Sequence, residues 1–507
     1  MPNNFFITTP IYYVNDIPHI GHAYTSIATD FIARFKRMSG VNTIFLTGTD
    51  EHGQKIQKAD ENNSIEPLSL CDKNSAKFRE LTEVLNLSND DFIRTTEKRH
   101  IDGAKSLWNK LMDNGDIYLD TYKGWYSVSD ETFYNEKDLI KQKDDSFKTV
   151  TGGPVDWIEE ESYFFRLSKY SEKLLEIYEE RPDFILPKSR RNEVISFVKS
   201  GLRDLSISRN TFDWGINVPN DDKHVMYVWL DALSSYPNSL GYIENKKSKL
   251  SPYWLNSTHI VGKDILRHHA VYWPAFLMSA QLDLPKRIFA HGWWTNEGNK
   301  ISKSLGNAID PIEIVEQYGL DQIRYFLLRE ITFGSDGDFS TDALKSRINA
   351  DLSNNLGNLC QRSLTMIIKH CDATIPTNKN LTELDKKFLS NISNALSDFT
   401  ANVDNQEINI YIKKIWDIIF SANKYFNDNK PWVLKDTDKE NFDNVLYVTA
   451  EIIKQIGVMI YPIMPDTSSK ILTFFNIKTK DITLDMLNID LTNTKLNEIK
   501  PLFPRVE

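Results

Sequence analysis

The chain has 507 residues, 41% of them hydrophobic, which is enough for about three domains of ~100–200 residues with a core in each and excludes a peptide or a disordered tail. Sixty basic against seventy acidic side chains leave a formal charge of −10, so contact with nucleic acid must come from local patches, and a polycationic binder is excluded. The three cysteines, Cys71, Cys360 and Cys371, show no CxxC spacing; that excludes a disulfide scaffold and a cysteine-rich zinc site and fits a reducing, cytoplasmic setting. No apolar run reaches the ~18 residues of a membrane span, and the first residues lack the basic segment of a signal peptide.

In chain order, residues 5–9 and 43–47 are short β-leaning runs. Between them Ala23, Ile27, Phe31, Phe35 and Met38 recur with helical spacing, and Gly40 stands where such a helix should end. This predicts a βαβ unit of a parallel, doubly wound α/β domain. From about residue 116 the pattern breaks into aromatic runs and turns, such as Gly124-Trp125-Tyr126 and Gly152-Gly153-Pro154, as an insertion would. The sheet is expected to resume through apolar runs at 224–230, 257–261 and 287–290. Beyond about residue 341, Leu352, Leu356 and Leu359, then Ile412, Ile415, Ile419, Ala422 and Phe426, follow three-four spacing and predict a helix bundle.

Two segments carry chemistry. Pro18-His19-Ile20-Gly21-His22 lies between the first strand and its helix, where backbone N–H groups and a positive helix end favour an anion, Gly21 lets a ligand approach the backbone, and two imidazoles can donate to phosphate oxygens. Lys300-Ile301-Ser302-Lys303-Ser304 follows a polar, glycine-bearing stretch and is expected to form a mobile loop whose lysines close over a polyphosphate. Alone, the first is as often a pair of exposed histidines at a turn, and the second a solvated surface loop. Gln54 stands where a P-loop would need its lysine, and the signatures of dehydrogenases, zincins and serine hydrolases are missing.

Together, His-Ile-Gly-His and Lys-Ile-Ser-Lys-Ser about 280 residues apart resemble the HIGH and KMSKS motifs of the class I aminoacyl-tRNA synthetases. Thr9-Pro10-Ile11-Tyr12-Tyr13, Gly48-Thr49-Asp50-Glu51-His52-Gly53, Tyr227-Val228-Trp229-Leu230-Asp231-Ala232 and Gly262-Lys263-Asp264-Ile265 narrow the resemblance to the methionyl branch, from about residue 5 to 465. It implies a Rossmann-like catalytic domain (1–115 and 196–290) split by a connective insert (116–195), then a mobile-loop and stem-contact region (291–345) and an α-helical anticodon-binding domain (346–507).

The resemblance further implies an ATP-dependent methionine–tRNA ligase acting on initiator and elongator tRNAs. His19, His22, Lys300 and Lys303 would be catalytic, and Gly21, Gly262, Asp264 and Ser302 would join them in holding ATP with its Mg²⁺. Methionine would lie among Ile11, Tyr13, Asp50, Trp229, Ala232, Tyr236, Ile265 and His269, with Trp273 behind, Asp50 taking the ammonium and Tyr236 or His269 offering a hydrogen bond to sulfur. Leu233 stands where relatives often have proline. Asn358, Arg362 and Trp432 would read the anticodon, while Lys188, Arg190, Arg191, Lys345 and Arg347 are candidates for tRNA phosphates. Related enzymes can hold zinc through four cysteines in the insert; this insert has none, so a zinc-free form is expected, and the residues left without an appended domain suggest a monomer. A different class I synthetase, a metal hydrolase built on histidines 19, 22, 52 and 269, and a catalytically silent tRNA-binding module are the competing readings.

Overall fold

The computed structural model describes residues 4–15, 17–63, 66–127, 132–134, 136–142, 144–150, 152–300, 309–377 and 380–506. Strand β1 (Asn4–Thr8) is buried along its whole length, as a parallel strand covered on both faces must be. β1 and β2 (Tyr12–Tyr13) lie along one side of β3 (Asn42–Asp50), β1 opposite Asn42 to Leu46 and β2 opposite Thr49 and Asp50. Pro10 falls in the gap, having no N–H to give the ladder. β4 (Asp91–Arg94) takes the other side of β3. Beyond β1 the parallel sheet continues through Ser257–Gly262, Arg287–His291 and Ile185–Leu186. Chain order therefore reverses between β1 and Ser257–Gly262, which opens a crevice at the carboxyl ends of those strands.

Helix α1 (Ile20–Met38) buries Ala23, Ile27, Phe31, Phe35 and Met38 against this sheet and its neighbours, as their spacing predicts. Two elements differ from expectation. Residues 224–230 do not rejoin the sheet: Asp221–Met226 pairs antiparallel with Ser208–Arg209 and Asn217–Val218, and a helix runs from Val228 to Ser239. The apolar run there is continuous, and periodicity cannot divide such a run between strand and helix. Ile185–Leu186, expected inside the insert, is instead an edge strand of the main sheet, too short to leave a pattern. The insert itself is a long antiparallel ribbon, Ile117–Ser127 against Asp156–Phe165, flanked by Thr132–Tyr134 and Leu205–Ser206.

From Thr341 onward the described residues form helices and their connections, the longest helices being Ile408–Asn429 and Lys439–Met459. Leu352, Leu356, Leu359, Ile412, Ile415, Ile419, Ala422 and Phe426 are all buried. The helical region shares one core with α1, whose Phe31 and Phe35 meet the Tyr411 ring edge-on at 5.1 and 5.5 Å. Fully buried Arg324 joins the two halves: it donates to Asp30 of α1 at 2.6 Å and to the carbonyls of Leu85, Pro462 and Ile463 at 3.1, 3.0 and 2.9 Å. Among the described residues no helix is long and apolar enough to cross a membrane.

Candidate active site

α1 begins at the mouth of the crevice. His19 is its N-cap, in extended backbone, and His19 Nδ1 accepts from the Gly21 amide at 3.1 Å, while His22 Nδ1 accepts from the His19 amide at 3.1 Å. This reciprocal cap satisfies two otherwise unpaired amides of the first turn. Because both Nδ1 atoms accept, each neutral imidazole carries its proton on Nε2. The rings lie 3.9 Å apart; burial, then the neighbouring His19, lowers the His22 pKa well below its ordinary value, so His22 is a neutral donor at pH 7. Gly21 has a local reason as well as the expected one: a Cβ there would come within 2.9 Å of the His19 ring.

The lysine-bearing segment is anchored to this turn from both flanks. On its near side, His291 at the end of Arg287–His291 bonds Thr25 Oγ1 of α1 at 2.8 Å. The chain then forms Trp294–Asn296 and turns back through Asn299–Lys300, with Lys300 opposite Thr295. On its far side, the Ile309 carbonyl accepts the Ile20 amide at 3.1 Å. Ser302 and Lys303 lie outside the described residues.

Gly262 ends a central strand and Asp264 follows in an exposed turn. A Cβ on Gly262 would collide with the Asp264 carboxylate. Trp293, which the sequence reading missed, donates from Nε1 to Asp264 at 3.0 Å; Lys263 lies over its ring at 4.2 Å and pairs with Asp336 at 2.6 Å. The doublet Trp293-Trp294 directly after a predicted strand was the available signal.

Farther in, Tyr13 pairs with Asp50 across β2 and β3. Tyr236 OH and His269 Nε2 are 2.7 Å apart, and His269 Nδ1 lies 2.9 Å from the Ile265 carbonyl. A carbonyl only accepts, so the imidazole proton is on Nδ1 and Nε2 takes the tyrosine proton. Burial lowers the His269 pKa to about 4, which keeps the pair neutral; burial, then the Asp50 charge, raises Tyr236. In this arrangement the hydroxyl proton is given to His269 and the imidazole proton to the Ile265 carbonyl. Trp229 stacks on His268 at 3.9 Å. His268 begins a π-helical turn, His268–Tyr272, a distortion frequent at functional sites. Ile11, Trp229 and Ile265 pack half-buried on the core that holds Tyr236, and Ala232 is buried. Trp273 is fully buried beside Trp254 and serves as core.

The family model for class I tRNA synthetases (M) matches residues 5–364, and that for the anticodon-binding domain of methionyl tRNA ligase matches residues 375–496. The chain belongs to the class I methionyl-tRNA synthetases. Methionine–tRNA ligase of Rickettsia conorii is 51% identical, with 100% of each chain covered, and that of Brucella suis is 51% identical over 99% of this chain and 98% of the relative. Mycobacterium tuberculosis methionyl-tRNA synthetase in complex with methionyl-adenylate superposes with a TM-score of 0.96 at 46% identity, covering 99% of this chain and 100% of that one; its apo form gives 0.90 at 44%, covering 100% and 99%.

In the methionyl-tRNA synthetase helical region, Arg362 donates to Asn427 at 2.9 Å and lies 5.5 Å from the Phe426 ring and 5.8 Å from Trp432, which is 43% exposed. Asn358 is exposed one turn earlier on the same helix. Asn427 was not foreseen, and Phe426 was expected only as a core residue of the bundle. Three of the basic candidates are committed within the protein: Arg190 to Glu193, Arg191 to the Tyr178 carbonyl, and Arg347 to Glu330 and Asp351.

None of the three cysteines lies in the insert. Cys71 donates to the Glu51 carbonyl, and Cys360 is buried in Asn358–His370. Burial raises both thiols to about 12, so both are protonated at neutral pH.

Proposed function

We propose that the chain is a methionine–tRNA ligase that activates L-methionine with ATP, taken as its magnesium complex, and transfers the methionyl group to the 3′-terminal adenosine of initiator and elongator methionine tRNAs. The observation that carries this reading is the Ile20–Ile309 bond, which ties the far flank of the lysine segment to the histidine turn, in a chain matched end to end by methionine–tRNA ligases.

In the first step a methionine carboxylate oxygen attacks the α-phosphorus, the bond from that phosphorus to the bridging oxygen breaks, and pyrophosphate leaves. Magnesium offsets charge on the triphosphate. His19 and His22 donate from Nε2 to the α-phosphate oxygens as their charge grows, and Gly21 leaves the backbone open there. Lys300, Ser302 and Lys303 hold the departing pyrophosphate, while Gly262 and Asp264 take the adenosine, with the carboxylate accepting from ribose hydroxyls. Asp50 receives the ammonium, and Ile11, Tyr13, Trp229, Ala232, Tyr236, Ile265 and His269 surround the thioether. In the second step a ribose hydroxyl of the terminal adenosine attacks the carbonyl carbon of the anhydride and AMP leaves; no protein nucleophile takes part in either step.

Asn358, Arg362 and Trp432 contact the anticodon, where an indole and a guanidinium suit stacking on unpaired bases. We further assign the enzyme to the cytoplasm as a zinc-free monomer whose domains follow the boundaries expected from sequence, except that Ile185–Leu186 belongs to the main sheet and Leu205–Ser206 to the insert ribbon. Pyrophosphate exchange measured with each of the twenty amino acids tests the assignment: methionine alone should support it, and exchange with cysteine but not methionine would overturn it.

A further inference from the structure

Two residues of the sequence motifs, His52 and Asp231, take no part in the steps above, yet they meet in the interior. The Asp231 carboxylate is 1% exposed. It takes His52 Nδ1 at 2.6 Å on one oxygen and His100 Nε2 at 2.5 Å on the other. Burial works to raise its pKa, but the two imidazoles prevail and hold it down at about 2. Asp231 is therefore an anion that only accepts, and each imidazole turns an N–H toward it. Trp214 lies edge-on to His52 at 5.6 Å, and its indole donates to the Glu51 carbonyl at 2.6 Å.

Each corner of this group belongs to a different element. His52 follows Asp50 by two residues at the end of β3. Asp231 sits between Trp229 and Ala232 in the first turn of Val228–Ser239, which also carries Tyr236. His100 comes from Lys98–Asp113. That helix approaches Val228–Ser239 so closely that a Cβ on Gly103 would collide with the Asn238 side chain, and Asn238 in turn donates to the His100 carbonyl at 3.3 Å.

We propose that Asp231 and His52 are positioning residues for methionine: their bond fixes the separation between the Asp50 carboxylate and the wall of Trp229, Ala232 and Tyr236, and so sets the length of side chain the pocket accepts. This rests on the pocket assigned under the proposed function. A thioether offers polarisability and length but no charge and no strong donor. Length measured from the ammonium site to the far wall is then the property to discriminate, and a fixed separation is what measures it.

The test compares two amides at position 52. His52→Asn keeps an N–H donor near the place of Nδ1, whereas His52→Gln carries it one bond farther. Pyrophosphate exchange with methionine, norleucine and the longer ethionine, together with melting temperatures, is measured for both. His52→Gln is expected to raise the methionine KM ~10-fold or more, the order of effect of a displaced charge-assisted bond, with the ATP KM unchanged and the preference for methionine over ethionine reduced. His52→Asn should restore the methionine KM and the preference. Asp231→Asn, which sets an amide NH₂ against one imidazole N–H, should separate the methionine KM from the ATP KM in the same way. A purely structural role would lower both melting temperatures and leave the methionine KM and the ethionine preference alone; that result overturns the inference. If Asp50→Asn raises the methionine KM while the two position-52 amides behave alike, the inference alone falls. If Asp50→Asn has no effect, the pocket assignment falls and takes the inference with it.

Discussion

The amide of Ile20 and the carbonyl of Ile309 are joined at 3.1 Å, so the segment that begins at Lys300 returns to the chain at the first turn of α1. Ile20 is the first helical residue of α1 and His19 before it is extended, the one helical position where proline fits without breaking the ladder. Ile20→Pro should therefore remove this bond and spare the helix. The rate of adenylate formation should fall roughly 10-fold, in the same direction as the larger loss, ~10²–10³-fold, expected of Lys303→Ala. Single-turnover kinetics check both, and an Ile20→Pro enzyme with an unchanged rate would separate the two segments functionally.

The Tyr236–His269 pair makes a second case. Tyr236→Phe leaves His269 Nε2, 1% exposed as a residue, without its donor. The methionine KM should rise ~10-fold while kcat stays within a few-fold, since the penalty of an unsatisfied buried acceptor falls on binding. His269 is lowered from 6.5 to about 4, so it is neutral above that value and charges only as the pH falls through it. The methionine KM of the unaltered enzyme should accordingly show no inflection near pH 6.5 between pH 8 and pH 5.5.

Arg362 and Trp432 act on one surface. Replacing either with Ala should raise the tRNA KM by ~10–100-fold, the worth of one stacked base, and leave methionine-dependent pyrophosphate exchange untouched. The double variant should lose less than the product of the two, because the guanidinium and the indole are 5.8 Å apart and already coupled. Aminoacylation assays at several tRNA concentrations read both effects.

Acid stability follows from Asp30. Burial works to raise its carboxyl, but Arg34 and Arg324 outweigh it and lower it from 3.8 to about 2. The depressed carboxylate stabilises the fold fully above the unfolded value, and that contribution, about 2 kcal/mol, is lost as the pH falls from ~5 through about 2. Arg324→Leu should cost ~3–5 kcal/mol at pH 7, because it leaves a buried carboxylate and three carbonyls short of a partner. Urea unfolding at pH 7 and pH 3 measures both.

The βαβ start and the helical C-terminal region could be read from sequence, because each depends on local spacing. α1 shows this most plainly: its five spaced apolar residues are buried as expected. What escaped were features that only the folded chain creates. Trp293 gains its place from a bond to Asp264, and Asn427 from a helix 65 residues beyond Arg362. The turn from strand to helix at residues 226–228 escaped for a different reason, since a run of consecutive apolar side chains satisfies either geometry. The direction of the Tyr236 proton was invisible as well, because it is decided by the Ile265 carbonyl behind His269.

Arg324 carries one further implication. With its guanidinium shared between α1 and the chain at Pro462 and Ile463, the helical half is no detachable appendage. Severing the polypeptide near residue 340 would take away the Pro462 and Ile463 carbonyls and uncover the apolar core that the helices share with α1, so an isolated N-terminal fragment should aggregate rather than stay soluble and active.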